Sequence, residues 1–325
     1  MAADVAIHSG ASPKTGGWQA YLQIARPDHW FKNVFVLPGV GLALALSREG
    51  ASVALIGKIL LALVATSLIA SANYTINEWL DAEHDRHHPV KNRRPAATLS
   101  LSAPLIWLQW LGCATAGLAT ARCLNLETLV FAAALLFMGV VYNVRPLRTK
   151  ERVFLDVLSE AVNNPIRFLI GWSLIVKDVL PPSSVLFAYW MGGAYLMAVK
   201  RYSEYRFIGD PKRAGLYRAS FRFYSENTLL LSSFFYAMTS MLFLGVFLVK
   251  YRIEFLLGLP LLVVLFVWYL AIGMRENSVA QRTEKLYAEK ALMSYVAFVA
   301  AVFALLLFVD IPALNELVDY HVLRG

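Results

Sequence analysis

The sequence predicts an all-α fold: a polytopic membrane protein built as a bundle of nine transmembrane helices. The first observation behind this prediction is composition. Hydrophobic residues make up 58% of the 325 residues, charged residues only 16%, and the mean hydropathy is +0.55, which exceeds the apolar share of soluble domains. The second observation is the order of the chain, in which long apolar runs alternate with short polar loops.

Nine apolar runs account for the predicted spans. Seven are long enough to cross a hydrocarbon layer of roughly 30 Å as helices, at about 59–77, 103–121, 153–176, 183–199, 228–249, 255–274 and 291–309. Two shorter runs, 34–46 with Pro38 and 128–142, are expected to be tilted, kinked or partly re-entrant. Residues 1–20 are polar and read as a disordered tail rather than a cleavable signal peptide. Residues 21–325 are expected to form a single transmembrane domain.

The basic residues lie mainly on one side of this arrangement. Of the 30 Lys and Arg residues, 22 lie before the first span or in the loops 77–102, 143–152, 200–227 and 275–290, and seven lie on the other side. Because basic loops stay in the cytoplasm, we expect a multi-pass protein of the cell inner membrane with these loops cytoplasmic and the C-terminus outside. Basic residues spread over short loops indicate membrane topology and anionic ligands, not nucleic acid.

The strongest local motif follows the second span. From Asn77 the chain reads N-E-W-L-D-A-E-H-D, so on a helix Asn77, Asp81 and Asp85 share one face, with Glu78 beside them. Stacked carboxylates repel one another without a cation, and oxygen ligands of this kind suit Mg²⁺ shared with substrate phosphates. We therefore predict these four residues as Mg²⁺ ligands and the first three as catalytic. A solvated acidic helix end, or zinc held by His84 and His88, is a weaker alternative.

Three further clusters lie at predicted loops on the same side. One reads K-N-R-R-P from Lys91, directly after the acids; another reads K-R-Y-S-E-Y-R from Lys200; a third reads Y-N-V-R from Tyr142. Arginine forks and lysine charges match the oxygens of a diphosphate. Snorkelling at the membrane surface would explain the Lys and Arg of the second cluster, but it would not explain Glu204.

The predicted fifth span contains a polar stripe on an otherwise apolar helix, made of Asp156, Glu160, Asn163, Asn164 and Arg167. Ionisable groups in a span normally face a polar cavity or each other. Two interpretations stay open: Glu160 pairs with Arg167 through the asparagines, or the stripe contacts a ligand.

Two other segments also have two interpretations each. The stretch R-P-D-H-W-F-K-N from Arg26 combines cations with an interfacial Trp, so it is either an aromatic anchor at the membrane surface or part of the site. Residues 210–227 alternate arginines with aromatic residues. They form either a helix that lies in the interface and covers the active face, or an ordinary solvated loop.

With these motifs in view, the chain resembles the UbiA prenyltransferase superfamily. Members of that superfamily have nine helices, an N-D-x-x-D-x-x-x-D motif after the second helix, and further acidic and basic motifs after the fourth and sixth. The resemblance runs from about Arg26 to the last span, and the first motif with its K-x-x-R-P continuation is its most specific part. Glu78 stands where the family usually has Asp.

Within the superfamily, the chain looks most like the decaprenyl-phosphate phosphoribosyltransferase branch. That branch carries R-P-x-Q-W-x-K-N before the first helix, H-P-x-K-x-R-P after the acids and K-R-x-x-E after the sixth helix. This chain has R-P-D-H-W-F-K-N from Arg26, H-P-V-K-N-R-R-P from His88 and K-R-Y-S-E from Lys200. His29 replaces the usual Gln, and one extra residue separates Lys91 from the Arg-Pro pair.

The resemblance implies transfer of 5-phosphoribose from phosphoribosyl pyrophosphate to a polyprenyl phosphate, in cell envelope biosynthesis, with release of pyrophosphate and Mg²⁺ as cofactor. The alternative is a prenyltransferase that moves a prenyl group from a prenyl diphosphate to an aromatic acceptor, and a transporter is a third class. Membrane lipid surrounds the protein in each case, and the sequence leaves a homo-oligomer open. We expect the substrate-binding residues to be Lys32, Asn33, Lys91, Arg94, Tyr142, Arg167, Lys200, Arg201 and Glu204.

Overall fold

The structure is a computed structural model that describes residues 15–47, 50, 52–276, 278–281 and 283–314. Most of the predicted tail (1–14) and the C-terminal end (315–325) lie outside the described residues. Within the described part, regular structure is helical apart from one isolated bridge between Thr15 and Ser100. This agrees with the predicted all-α class. Helix α1 begins at Trp18, inside the last residues of the predicted tail.

The α-helices in chain order are α1 (Trp18–Ile24), α2 (Leu37–Leu46), α3 (Val53–Asp85), α4 (Pro95–Thr98), α5 (Ala103–Arg122), α6 (Leu126–Asn143), α7 (Leu155–Ala161), α8 (Asn163–Trp172), α9 (Ser183–Ile208), α10 (Pro211–Tyr217), α11 (Glu226–Tyr251), α12 (Leu259–Gly273) and α13 (Lys290–Leu306). Shorter 3₁₀ stretches lie between them at Pro27–Val36, Lys91–Arg93, Thr149–Glu151, Ala219–Arg222, Ile253–Gly258, Val279–Gln281 and Thr283–Ala288.

Five helical segments are long and apolar enough to cross a membrane among the described residues: Trp18–Leu46, Val53–Asp85, Leu126–Asn143, Glu226–Tyr251 and Ile253–Gly273. A shorter apolar helix covers Lys290–Leu306. The predicted count of nine spans is therefore not confirmed. Helix α9 is not among these segments, and its second half carries the K-R-Y-S-E-Y-R cluster.

The predicted fifth span is not one continuous helix. Helix α7 ends at Ala161 and helix α8 begins at Asn163, with Val162 between them. Proline has no amide hydrogen, so Pro165 cannot donate to the carbonyl of Ala161 as an uninterrupted helix would require. The polar stripe of this region is therefore distributed over two short helices.

Close packing between helices depends on small residues where backbones approach each other. Helix α2 crosses α8 at Gly39 and Gly171, and a Cβ atom added at Gly171 would lie 2.0 Å from the carbonyl oxygen of Val36. Helix α9 ends at Gly209, whose φ of 69° is the left-handed conformation that favours glycine after a helix. The chain then turns back into α10.

Two apolar clusters hold the bundle together. One is formed mainly by α2, α3, α6 and α8 and includes Val40, Ile69 and Phe168; the other joins α7, α9 and α12 around Tyr195. The polar ends of α3, α6 and α9 converge at one end of these clusters. Helix α10 and the 3₁₀ stretch after it pack on α9 there, through Tyr217 and other buried aromatic residues.

Candidate active site

The acidic end of α3 forms the centre of the candidate site. Asp81 lies 2.5 Å from the Lys150 ammonium and 3.2 Å from the Arg148 guanidinium, and Asp85 accepts a 2.8 Å hydrogen bond from Arg94. The two carboxylates lie one turn apart on α3, as the four-residue spacing predicts. Their repulsion is offset in this structure by cations from two different loops. Of these three cations, only Arg94 belongs to the predicted substrate-binding set.

The other two predicted metal ligands are also fixed by the fold. Asn77 donates a hydrogen bond from its Nδ2 atom to the side-chain oxygen of Asn143 on α6, and Lys150 donates to that same oxygen at 2.8 Å. Glu78 is buried, and its Oε1 atom has no hydrogen-bond partner among the described residues. A buried carboxylate oxygen without a partner is costly, so Glu78 Oε1 is suited to receive a ligand or a cation.

A small cleft opens beside these acids. Its walls come from the end of α3, from the loop after α6 and from the segment that follows α9. They are formed by Asp81, His84, Asp85, Arg148, Lys150, Glu151, Tyr217, Arg218 and Ala219. Burial lowers the pKa of Lys150 to about 8, and the adjacent Asp81 carboxylate opposes this shift.

The donor set is compatible with a shared Mg²⁺ site but not with a closed protein site. The described part of the chain contains no group of three or more His, Cys, Asp or Glu residues arranged to hold a metal. Mg²⁺ usually keeps several waters and takes one or two carboxylates together with substrate phosphates. Asp81 and Asp85, which both line the cleft, meet that smaller requirement.

A second group of charges surrounds Arg201 on α9. This arginine is almost fully buried; it lies 2.6 Å from Glu160, 3.4 Å from Glu204 and 3.7 Å from Asp156. Tyr142 donates a 2.8 Å hydrogen bond to Glu160 and accepts one from Arg201 at 3.1 Å. This network does not contain the Glu160–Arg167 pair, which was one of the two interpretations of the polar stripe. The break between α7 and α8 separates those two residues, and Arg201 is the partner of Glu160.

The predicted substrate-binding residues Lys91 and Glu204 are joined to each other. Their side chains are 2.5 Å apart, and Tyr217 donates a 3.0 Å hydrogen bond to the same oxygen of Glu204. His88 lies 3.5 Å from that carboxylate, and burial lowers the pKa of this histidine. Glu204 is therefore a buried acceptor that connects α9 to the loop after α3 and to α10. Lys91 does not contact the acids of α3.

The R-P-D-H-W-F-K-N segment contributes a further group of cations around His29. His29 is buried, with Arg26 2.6 Å from its Nε2 atom and Lys32 3.1 Å from its Nδ1 atom. Arg94 and Lys200 add positive potential at the same imidazole. We call Arg26, Lys32, Arg94 and Lys200 the His29 cluster. Trp30 is 43% exposed, which is compatible with an aromatic anchor, and the cations of the segment surround His29.

Asn33, from the same segment, contacts Arg167 on α8. Arg167 donates a 3.0 Å hydrogen bond to the Asn33 amide oxygen, and Asn33 donates to Ser67 on α3 at 2.9 Å. Both residues are buried. The structure thus connects two predicted substrate-binding residues that are far apart in sequence, and their partners hold α8 against the segment before α2 and against α3.

Lys200 differs from the other cations of the site. It makes no hydrogen bond or ion pair with the residues that the structure describes. Burial lowers its pKa to about 7; Glu160 opposes the shift, and Lys32, Arg201 and Lys91 reinforce it. Lys200 lies beyond the predicted sixth span, at the end of α9 that faces the site. An incoming anion would gain a partner there without breaking an existing pair.

Only two of the nine residues that line the cleft, Asp81 and Asp85, belong to the predicted site; the seven others include Arg148, Lys150, Tyr217 and Arg218. Arg148 and Lys150 belong to the loop 143–152, which carries four basic residues within ten positions. This density of basic residues in the sequence could have indicated a binding role for the loop. Tyr217 and Arg218 lie in the segment for which a covering helix was one of two interpretations. The structure favours that interpretation, because both side chains line the cleft.

Residues 34–293 match the profile of the UbiA prenyltransferase family. The chain belongs to the UbiA prenyltransferase family. The expected resemblance is thereby confirmed for most of the chain. A solved structure, a UbiA homolog from Archaeoglobus fulgidus bound to GPP and Mg²⁺, superimposes with a TM-score of 0.66 at 23% identity, covering 91% of this chain and 99% of that one. At that identity the similarity shows the fold of this UbiA-family protein.

Curated relatives include two kinds of transferase. The decaprenyl-phosphate phosphoribosyltransferase of Mycolicibacterium smegmatis is 28% identical over 199 residues, which cover 60% of this chain and 59% of that protein. Protoheme IX farnesyltransferase 2 of Bacillus subtilis is 27% identical over 215 residues, covering 64% and 68%. The UbiA-family protein thus spans less than two thirds of the first of these relatives. It is similar to enzymes with phosphoribosyl and with prenyl donors.

Proposed function

We propose that this UbiA-family protein transfers 5-phosphoribose from phosphoribosyl pyrophosphate to a polyprenyl phosphate at the cytoplasmic surface of the inner membrane. The observation that carries the proposal is the presence of two cationic groups that share no member near the acidic end of α3. One lines the cleft and contains Arg148, Lys150 and Arg218; the other is the His29 cluster. A ribose donor carries a diphosphate and a 5-phosphate at opposite ends of one ring, so it needs two such groups.

In this proposal, Asn77, Asp81 and Asp85, together with Glu78, would hold Mg²⁺ for the diphosphate of the donor. Bound Mg²⁺ would neutralise the charge that develops on the leaving pyrophosphate. The bond between the anomeric carbon and the diphosphate oxygen breaks, and a phosphate oxygen of the acceptor forms the new bond to that carbon. The acceptor phosphate is already anionic. The reaction therefore requires no general base, in keeping with a site made of cations and metal-binding acids.

The remaining cations would bind phosphate oxygens that the metal does not reach. Arginine forks and lysine charges contribute charge-assisted hydrogen bonds of this kind. Lys200 is the strongest candidate, because it has no ion-pair partner among the described residues. Arg201 and Glu204 have a different role in this account: their mutual pairing and their bonds to Tyr142 and Tyr217 hold the walls of the site in place.

The second candidate function is transfer of a prenyl group from a prenyl diphosphate to an aromatic acceptor. It is favoured by the farnesyltransferase relative and by the structural neighbour bound to GPP and Mg²⁺. A prenyl diphosphate has one anionic end and an apolar tail. It would use the cleft and its acids, and it would leave the His29 cluster without a phosphate ligand.

Binding measurements on the purified protein in lipid nanodiscs separate the two candidates. With Mg²⁺ present, we expect phosphoribosyl pyrophosphate to bind, and we expect Lys200→Ala to weaken that binding by about 1–3 kcal/mol, the range for a lost charge-assisted contact. Lys212→Ala is the matched control, because Lys212 is an exposed lysine outside the cleft. A protein that binds a prenyl diphosphate but has no affinity for phosphoribosyl pyrophosphate would replace the first candidate with the second.

A further inference from the structure

The chain from Asp210 to Tyr224, which we call the cover segment, lies over the cleft and presents one arginine to it. The segment contains α10 and the 3₁₀ stretch Ala219–Arg222. Tyr217 and Arg218, at the junction of these two elements, line the cleft together with Asp81 and Lys150. The cover segment is therefore a wall of the candidate active site.

The cover segment is anchored on both sides of Arg218. Before it, Tyr217 donates to the buried Glu204 carboxylate at 3.0 Å. After it, Ser220 and Tyr224 donate to the two oxygens of Asp156 at 3.1 and 2.9 Å. Asp156 is fully buried at the start of α7. These bonds hold the backbone at Arg218 against α7 and α9, so the position of its side chain over the cleft is set by the fold.

Arg218 itself forms no ion pair within the part of the chain that the structure describes. Its Nε atom is buried without a hydrogen-bond partner, and its hydrogen bond to the Tyr142 hydroxyl is long, at 3.4 Å. The guanidinium is held by the rings of Tyr217 and Phe221, whose centroids lie 5.7 and 5.8 Å away. Stacking orients a guanidinium without using its donors. Arg218 therefore retains donors for an anion in the cleft.

The neighbouring cations of the cleft are already paired. Arg148 and Lys150 pair with Asp81, and Arg94 pairs with Asp85. The carboxylates that anchor the cover segment also have partners: Glu204 pairs with Lys91, and Asp156 accepts hydrogen bonds from Ser220 and Tyr224. Arg148 and Lys150 already pair with Asp81, so an anion bound next to Asp81 would need another donor to balance its negative charge. Arg218 is a donor in that position.

We propose that Arg218 is a further substrate-contact residue, which donates from the cover segment to the diphosphate group of the donor beside Asp81. This inference rests on the proposed function only in that the donor carries a diphosphate. Both candidate donors release pyrophosphate, so inorganic pyrophosphate with Mg²⁺ probes Arg218 whichever donor is correct. A planar guanidinium binds two oxygens at once and a lysine binds as a point charge, so the two side chains are not equivalent here.

The experiment measures binding of inorganic pyrophosphate and of phosphoribosyl pyrophosphate to the full chain in nanodiscs with Mg²⁺, by titration calorimetry. We expect Arg218→Gln to weaken pyrophosphate binding roughly 10- to 100-fold and Arg218→Lys to weaken it less, by roughly 3- to 10-fold. The control is Arg213→Gln, also in the cover segment, whose Nε atom donates to the His87 carbonyl away from the cleft. We expect the affinity of Arg213→Gln for pyrophosphate to stay within about twofold of that of the wild type.

The outcomes distinguish this inference from the proposed function. Pyrophosphate binding by folded Arg218→Gln protein within twofold of the wild type would overturn the inference, even if phosphoribosyl pyrophosphate binds. If Arg218→Gln fails to fold, the same threshold applied to Arg218→Lys decides. A protein that needs Arg218 for pyrophosphate but does not bind phosphoribosyl pyrophosphate would support the inference and overturn the proposed function.

Discussion

Replacing Asp81 together with Lys150 separates the two roles that the structure gives to Asp81. Asp81 is the counter-ion of Lys150 and Arg148, and we propose that it is also a ligand of Mg²⁺. Asp81→Asn keeps the size of the side chain and removes its charge. Lys150→Met removes the ammonium that Asp81 faces at 2.5 Å. The two single variants and the double variant together form a double-mutant cycle.

The expected magnitudes follow from burial. Lys150 and Arg148 are both buried, whereas the Asp81 side chain is 18% exposed. Removing one partner of a buried ion pair costs about 3–5 kcal/mol, and we expect Asp81→Asn to lie at the lower end, about 3 kcal/mol, because Asp81 is partly exposed. The double variant should recover most of that free energy of unfolding, since no unpaired ammonium remains.

Turnover should not recover in the same way. Loss of a metal ligand removes several kcal/mol of charge stabilisation. We therefore expect the double variant to turn over at least roughly 100-fold more slowly than Lys150→Met alone, equivalent to about 2.7 kcal/mol of activation free energy. Turnover is measured at saturating Mg²⁺ and stability by unfolding in mixed micelles. Glu226→Gln is the control, because it removes only an exposed pair, 3.4 Å from Arg206.

Equal turnover of the double variant and Lys150→Met would refute this reasoning. Asp81 would then act only by holding Lys150, and the metal assignment on α3 would lose its main residue. A double variant that is no more stable than Asp81→Asn would instead refute the ion-pair account of stability. Glu226→Gln should change the free energy of unfolding by less than about 1 kcal/mol and leave turnover unchanged.

Three other predictions test the fold, the topology and the charge of the site. Gly171→Val should lower the free energy of unfolding by at least about 2 kcal/mol, measured in mixed micelles, because its Cβ atom would overlap the Val36 carbonyl. Cysteines at Asn92 and at Gly325, the latter outside the described residues, should react with an impermeant reagent from opposite sides; labelling from one side would contradict the charge-based topology. The affinity ratio of wild type to Lys200→Ala for phosphoribosyl pyrophosphate should fall between pH 6 and pH 9, because an unliganded lysine with a pKa of about 7 loses its charge over that range; a constant ratio would show that this charge is not used.

Local periodicity predicted the centre of the site. The four-residue spacing of Asn77, Asp81 and Asp85 placed them on one face of a helix, and the structure continues α3 through all three to Asp85. The basic string that follows these residues was expected near the acids. Arg94 of this string pairs with Asp85. The first result follows from helix geometry, and the second depends on the short loop that joins Asp85 to Arg94.

Long-range pairing could not be predicted in the same way. Pairing of Glu160 with Arg167 was one of two interpretations, because both residues lay on one predicted helix. The helix is interrupted at Val162, and Glu160 pairs with Arg201 from α9 instead. Lys91 was expected beside the acids and pairs with Glu204. Which of several cations reaches a given carboxylate depends on how the helices pack, and the sequence pattern does not contain that information.

The most direct test of the central claim is donor use in membranes that contain this chain. Labelled phosphoribosyl pyrophosphate and a labelled prenyl diphosphate are supplied separately, with Mg²⁺ and with a polyprenyl phosphate or an aromatic acceptor. The account predicts that label from phosphoribosyl pyrophosphate enters a lipid-soluble product only when Mg²⁺ and the polyprenyl phosphate are present, and that the Asp81→Asn protein forms little of it. A lipid-soluble product labelled only from the prenyl diphosphate would contradict the account.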